Sequence, residues 1–339
     1  MLKRGIVFLF VAIILLLAGC ASKNTAETTV PETTQAAETV PETEATEPAP
    51  VLELLMTEVT LTTIGEQVTI YSGEIPAHKI YWHSADASVA MVDRGVVTAM
   101  GRSGVSNVFG VYEDQILTCT VTSTASYTQD RTPILTPPDY TSVDPSFFDD
   151  AVFVGDSISL KLSRYHNGEL GNAQFLVQSS YSIYNAINDK MVTTYRGRSY
   201  TNIEDAIAAS GAKKVFIMLG MNDLGIFGVD QTLEHYRILI ELIQEACPDI
   251  EIYIQSVTPM WTGSARKSLN NTNIHTFNFI LRFFAQEHGC GFIDIGPYLQ
   301  DYTGGLAAVY SSDRYVHVTE NGIAVWTAAL RSYGYYGKL

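Results

Sequence analysis

The pattern of apolar and polar positions changes character three times along the chain. Residues 5–17 form a short apolar run behind Lys3 and Arg4, and residues 21–50 are largely polar, with a near-repeat in Ala26–Thr33 and Ala37–Thr43. From Val51 to Ser123, apolar or β-branched residues alternate with hydroxyls. Examples are Val59-Thr60-Leu61-Thr62, Val68-Thr69-Ile70-Tyr71 and Leu117-Thr118-Cys119-Thr120-Val121-Thr122, with glycines between the runs. A period of two bounded by turn residues predicts short half-buried strands, and several of them in succession predict a small β-sandwich.

After Phe148 the period changes again. Apolar runs at Ala151–Val154, Gln174–Gln178, Lys214–Leu219, Glu251–Val257 and Gly291–Ile295 are separated by stretches of helical character. These stretches are Ile158–Tyr165, Asn202–Ala209, Leu233–Ala246, Asn273–His288 and Glu320–Ser332. Strands alternating with helices predict a parallel sheet covered on both faces, with active residues gathered at the carboxyl ends of the strands. Pro133, Pro137, Pro138 and Pro145 mark residues 125–147 as a connection. The expected organisation is a leader (1–20), a polar segment (21–50), a β-sandwich (51–124), the connection, and an α/β domain (148–339).

Charge narrows the partners. With 36 acidic against 21 basic residues the formal net charge is −15, which argues against nucleic acid, because phosphate binding needs clustered Lys and Arg. Residues 21–50 carry six glutamates and one lysine. Such a composition cannot bury a core, so it reads as a tether with a reach of roughly 30–90 Å. The basic pair, the short apolar run and Leu17-Ala18-Gly19-Cys20 describe a secretory signal; the run is short for a spanning helix, which takes about 20 residues, and an uncleaved membrane anchor is the rival reading. Leu-Ala-Gly-Cys resembles the lipobox of bacterial lipoproteins. That resemblance implies a diacylated Cys20 that anchors the protein to the bacterial cell membrane on its extracytoplasmic side. Cys119, Cys247 and Cys290 are an odd remainder and make no disulfide framework, although a Cys247–Cys290 bridge stays open.

The chemistry starts at Gly155-Asp156-Ser157. A serine directly after an apolar strand and before a helix sits where orphan N–H groups and the helix dipole receive an anion. The third α/β strand ends in Gly220-Met221-Asn222-Asp223, which puts the Asn222 amide on the same edge as a potential oxyanion donor. Asp313-Arg314-Tyr315-Val316-His317 precedes the last helix. His317 can act as general base to Ser157, and Asp313 can orient it. Asp223 reads as a brace for the loop after the third strand. The remaining histidines show no metal spacing such as H-E-x-x-H, and no phosphate-binding glycine loop is present, so neither metal nor organic cofactor is expected.

Together, Gly155-Asp156-Ser157, Gly220-x-Asn222-Asp223 and Asp313…His317 resemble blocks I, III and V of the SGNH (GDSL-type) hydrolases. The resemblance implies a flavodoxin-like three-layer α/β/α sandwich with a parallel sheet. It implies a Ser157 nucleophile, a His317 base and an Asp313 partner, and an oxyanion hole built from the Ser157 N–H, a block II N–H and the Asn222 amide. Two departures matter. Where the family has glycine after the second strand, this chain has Val177-Gln178-Ser179-Ser180, and Ser180 is the nearest equivalent. The aspartate also lies four residues before the histidine instead of three, which leaves a Ser-His dyad as the fallback. In the β-region, Ile80–Asp86, Val89–Val92 and Gly95–Ala99 resemble the bacterial Ig-like domain of group 2. That implies a core tryptophan in Trp82 and a module that spaces or contacts cell-wall or surface polysaccharide.

Trp261 and Phe227, in loops on the active edge, are candidate substrate contacts. No long apolar lid segment is visible. The expected function is therefore a surface serine esterase that hydrolyses short acyl esters, O-acetyl above all, on a glycan or small ester substrate through an acyl-serine. The alternatives are acyl transfer by the same serine, or a surface adhesin with an inert hydrolase-like domain.

Overall fold

The computed structural model describes residues 51–125, 131–135, 142–188, 193–195, 198–200 and 202–336. The leader, Cys20 and the tether lie outside the described residues. The described residues form one compact unit, so the β-lobe and the α/β lobe are packed against each other.

In the β-lobe the alternating runs become seven strands: β1 (Glu58–Leu61), β2 (Gln67–Thr69), β3 (Tyr81–Ser84), β4 (Ala90–Asp93), β5 (Val96–Ala99), β6 (Gly104–Tyr112) and β7 (Gln115–Ser123). They form a four-stranded sheet, β1-β7-β6-β3, and a three-stranded sheet, β2-β5-β4. Inward residues of both sheets share one core, including Leu61, Trp82, Val108, Cys119 and Val121 from the first and Val92, Val97 and Ala99 from the second. Trp82 is a core residue: its Nε1 donates to the Ala77 carbonyl at 3.0 Å.

In the α/β lobe the elements run β8 (Ala151–Gly155), α1 (Ser157–Tyr165), β9 (Gln174–Val177), α2 (Ile183–Ile187), β10 (Thr193–Tyr195), β11 (Arg198–Tyr200), α3 (Ile203–Ser210), β12 (Lys214–Met218), α4 (Met221–Ala246), β13 (Glu251–Gln255), α5 (Asn271–Glu287), β14 (Gly291–Ile293), α6 (Gly296–Leu299) and α7 (Glu320–Tyr336). The sheet order is β9-β8-β12-β13-β14, every pair parallel. This is the flavodoxin-like order, in which the chain reverses its direction of travel between the first and third strands. β10 and β11 form a separate antiparallel pair that the sequence pattern did not announce.

The continuous apolar runs of the central strands follow from burial on both faces. One row of side chains shows how the register is held. Phe175, Phe153, Phe216 and Tyr253 lie opposite one another on four neighbouring strands. Their rings stack with centroids 5.2, 4.8 and 4.7 Å apart, each contact adding about 0.5–1.5 kcal/mol beyond its burial. A one-residue slip of any of these strands would break the row.

One expectation is corrected. α4 starts at Met221, not Leu233: Gly225 and Gly228 make residues 224–228 look like a loop, yet only Gly228 (φ 73°) leaves the helical region. The connection after residue 124 is pinned to the α/β lobe, through a bridge between Pro133 and Asp301 and an Arg131–Asp301 ion pair at 3.3 Å. The lobes meet through His83 stacked on Phe279 at 4.0 Å, Tyr81 edge-on to Phe292 at 6.2 Å, and the Gly101 N–H donating to the Tyr302 carbonyl at 2.9 Å. Cys119, Cys247 and Cys290 are free thiols.

Candidate active site

Strand register brings the site together. Gly155 at the end of β8 faces Val177 of β9 on one side and Met218 of β12 on the other. Three loops therefore leave the sheet at one level, beside the switch point between β8 and β12 where ligands bind in open α/β sheets. Gly155 is required by close approach: a Cβ there would fall on Ser159 Oγ and lie 3.0 Å from the Met218 carbonyl oxygen. Asp156 caps α1, its Oδ1 accepting from the Ile158 N–H at 2.8 Å. Ser157 thus becomes the first helical residue, at the positive end of the dipole. Asp156 is buried, and burial pushes its carboxyl up to about 6 against the lowering effect of the Ile158 and Ser159 N–H groups.

Ser157 Oγ lies 3.0 Å from His317 Nε2, and His317 Nδ1 lies 2.5 Å from Asp313 Oδ2. The four-residue spacing is absorbed inside the loop. Arg314 takes φ 53°, and Asp313 Oδ1 accepts from the backbone N–H groups of Tyr315 at 2.8 Å and His317 at 3.2 Å. The left-handed residue tightens the turn enough for the carboxylate to reach back to the imidazole, so the geometry does not call for the dyad fallback. Partial burial alone would raise the Asp313 carboxyl. The hydrogen bonds from the His317 ring and from the Tyr315 and His317 N–H groups outweigh it, and the group sits below the usual carboxylate range. The loop is closed by the Ser312 N–H on the His317 carbonyl at 2.9 Å.

The expected oxyanion donors lie on the three segments that follow β8, β9 and β12. Among the described residues no hydrogen bond occupies the N–H of Ser157 or of Ser180. Ser180 has φ 59°, the left-handed conformation in which glycine carries no Cβ penalty. Ser180 thus holds a backbone shape that favours glycine, with a side chain added. Asn222 Nδ2 donates to the Tyr181 carbonyl at 2.9 Å and to Asp156 Oδ2 at 3.2 Å. Both amide hydrogens are engaged, so donation to an oxyanion requires release of one bond, and the longer one, to Asp156, is the weaker restraint.

Asp223 braces a different loop from the one expected. Its buried carboxylate accepts from the N–H groups of Ile183 at 2.9 Å and Tyr184 at 3.0 Å, so it caps α2 after the second strand. Burial raises its carboxyl, opposed by those same N–H groups. No local pattern carries this contact across 40 residues of sequence. Phe227 packs into an aromatic cluster with Tyr184 at 5.2 Å and His235 at 4.8 Å. Trp261 sits beside the histidine loop, its backbone N–H donating to the Tyr315 carbonyl at 2.7 Å. Sequence reasoning missed Arg131, whose guanidinium lies 4.7 Å from the Trp261 ring centroid. Among the described residues no group of three or more His, Cys, Asp or Glu is arranged to hold a metal ion.

A hydroxyl, an imidazole and a carboxylate in sequence at the switch point of a flavodoxin-like sheet are the equipment of acyl-ester chemistry, hydrolysis or acyl transfer. Residues 153–325, just over half of the chain, match the GDSL-like lipase/acylhydrolase family, and the chain belongs to it. Among solved structures it is similar to a GDSL-like lipase from Bacteroides thetaiotaomicron, with 18% identity, TM-score 0.46, and coverage of 57% of this chain and 92% of that one. It is also similar to a carbohydrate esterase of family 3 from Talaromyces cellulolyticus (15% identity, TM-score 0.40, 54% and 95% covered). A third likeness is to the C-terminal catalytic domain of peptidoglycan O-acetyltransferase A from Streptococcus pneumoniae (14% identity, TM-score 0.37, 54% and 90% covered). These are likenesses of fold at low identity. Among curated proteins nothing matches.

Proposed function

We propose that the protein is a serine esterase that removes short acyl groups, acetyl above all, from a glycan outside the cytoplasmic membrane. The observation that carries this reading is the continuous chain from Asp313 through His317 to Ser157 Oγ. As Ser157 Oγ attacks the acyl carbon, His317 Nε2 takes the hydroxyl proton. Asp313 holds the Nδ1 proton and stabilises the imidazolium. The oxyanion is received by the Ser157 and Ser180 N–H groups and by the Asn222 amide as it leaves Asp156. Collapse breaks the bond to the leaving alcohol, whose oxygen takes the proton from His317, and leaves an acyl-serine. Water then attacks with His317 as base again, the carboxylic acid departs, and Ser157 recovers its proton.

Support for a short acyl group comes from the surface of the lobe. Among its described residues only Ile226 and Val309 are large, apolar and exposed, too little to seat a lipid chain. We further infer that Cys20 anchors the protein and that residues 21–50 and an Ig-like β-lobe display the catalytic lobe outside the membrane. The test is turnover of p-nitrophenyl esters from acetyl to octanoyl by the full-length chain, with Ser157→Ala as control. Acetyl should be preferred, and Ser157→Ala should be inactive. Equal or faster turnover of octanoyl would overturn the short-acyl reading. Measuring free acetate against acetylated sugar in the presence of excess oligosaccharide separates hydrolysis from transfer.

A further inference from the structure

A second concave feature lies between the two lobes. It is a cleft of about 310 Å³, with Asp86, Ser88 and Arg102 from the β-lobe on one wall and Trp261, Asn271 and Thr303 from the α/β lobe on the other. Its size is that of a small-ligand site. Hydroxyls, an amide, an aromatic residue and an acid–base pair (Arg102 to Asp86, 3.2 Å) are the groups that meet sugar hydroxyls. Neither lobe forms both walls, so the cleft exists because the lobes dock.

Arginines gather beside this cleft, in a chain whose net charge is −15. Trp261 lines the cleft, and its backbone N–H is hydrogen-bonded to the loop that carries His317. Three arginines gather on that junction. Arg131 and Arg314 lie 4.7 and 5.9 Å from the Trp261 centroid, and Arg266 lies 4.7 Å from the Tyr315 centroid. Arg131 is neutralised by buried Asp301. Arg266 and Arg314 are exposed, and among the described residues neither makes an ion pair with a carboxylate. Two exposed guanidiniums over aromatic rings, near the loop that carries the catalytic histidine, suit a planar anion that they can hold by forked hydrogen bonds.

We propose that the interlobe cleft is a glycan subsite and that its ligand is an acidic saccharide. A carboxylate-bearing sugar lies against Arg266 and Arg314, and the neighbouring residue of the chain presents its acyl ester to Ser157. The acyl part of this inference rests on the esterase reading, whereas the binding part does not.

The test uses the full-length chain and two probes, an O-acetylated oligogalacturonide and an O-acetylated neutral xylo-oligosaccharide. The expected result is a lower KM for the acidic probe, by about tenfold, with the preference collapsing near 1 M salt, where the screening length falls to about 3 Å. Arg266→Glu should remove the preference by raising KM for the acidic probe alone. Ala85→Trp, on the β-lobe side of the cleft and distant in sequence from the catalytic loops, should raise KM for both probes, and a thermal melt checks that each variant is folded. Equal KM values for the two probes, or no effect of Ala85→Trp in a folded variant, would overturn the proposal. Calorimetry of the oligogalacturonide with full-length Ser157→Ala reads binding without turnover. If binding is seen while the wild type cleaves no ester, the subsite stands and the esterase reading fails.

Discussion

Substitution of Asp313 separates its two contributions, and the structure predicts that the more conservative change does more harm. In Asp313→Ala the charge is lost, but the loop keeps the Ser312–His317 bond and the bond from the Trp261 backbone N–H to the Tyr315 carbonyl. Opposite charges about 4 Å apart attract by about 4 kcal/mol at an effective dielectric of about 20. The side chains of His317 and Asp313 are 40% and 33% exposed, so screening reduces this to about half. A loss of about 2 kcal/mol of transition-state stabilisation is about 30-fold in kcat/KM. In Asp313→Asn the amide oxygen satisfies the two backbone N–H groups that Oδ1 accepts from now, which turns the NH₂ toward His317 Nδ1. That arrangement favours the imidazole tautomer with its proton on Nε2, which cannot accept the serine proton, and the expected loss is about 10³–10⁴-fold. The assay is kcat/KM for p-nitrophenyl acetate with each variant. If Asp313→Asn is as active as Asp313→Ala, or if either stays within about twofold of wild type, the account of this residue is wrong.

Other substitutions probe the remaining parts. Asn222→Ala should lower kcat by about 10²–10³ with little change in KM for a small ester; a loss confined to KM would remove Asn222 from the oxyanion hole. Ser180→Gly should raise stability in chemical denaturation by up to about 1 kcal/mol, because φ 59° penalises a Cβ, and a destabilised variant would refute that reading. For His83, burial first and then the nearby His275 push the imidazole down to about 3, against about 6.5 in the unfolded chain. Between those values the unfolded state holds the extra proton, so this group's contribution falls as pH falls, by at most about 1.4 kcal/mol per unit. Asp156 and Asp294, pushed up to about 6 by burial, tilt stability the other way in part of that window. The informative quantity is thus the difference between wild type and His83→Phe, which should shift in favour of the variant as pH drops from 6.5 toward 4; parallel curves would contradict it.

What was legible in the sequence depended on how local its cause was. The parallel sheet followed from continuous apolar runs, and the nucleophile followed from a serine at a strand–helix junction. Asn222 and His317 were found because each also sits next to a strand end or a helix start. Contacts without a local pattern were not found. Asp223 caps a helix on another loop, Asn222 is clamped between Tyr181 and Asp156, and Arg131 reaches Trp261 from the connection between the lobes. Gly225 misled because a helical glycine and a loop glycine are alike in sequence, and only the backbone at Gly228 distinguishes them. The docking of the lobes rests on Tyr81 and His83, which in a strand pattern look like ordinary members of the β-lobe.

The central claim is that Ser157 is the nucleophile, activated by His317. Treatment of the full-length chain with a fluorophosphonate, followed by peptide mapping, tests it most directly. The account predicts a single modified residue, Ser157, with labelling lost in Ser157→Ala and strongly slowed in His317→Ala. A chain that takes no label, or a label on any other serine, would contradict it.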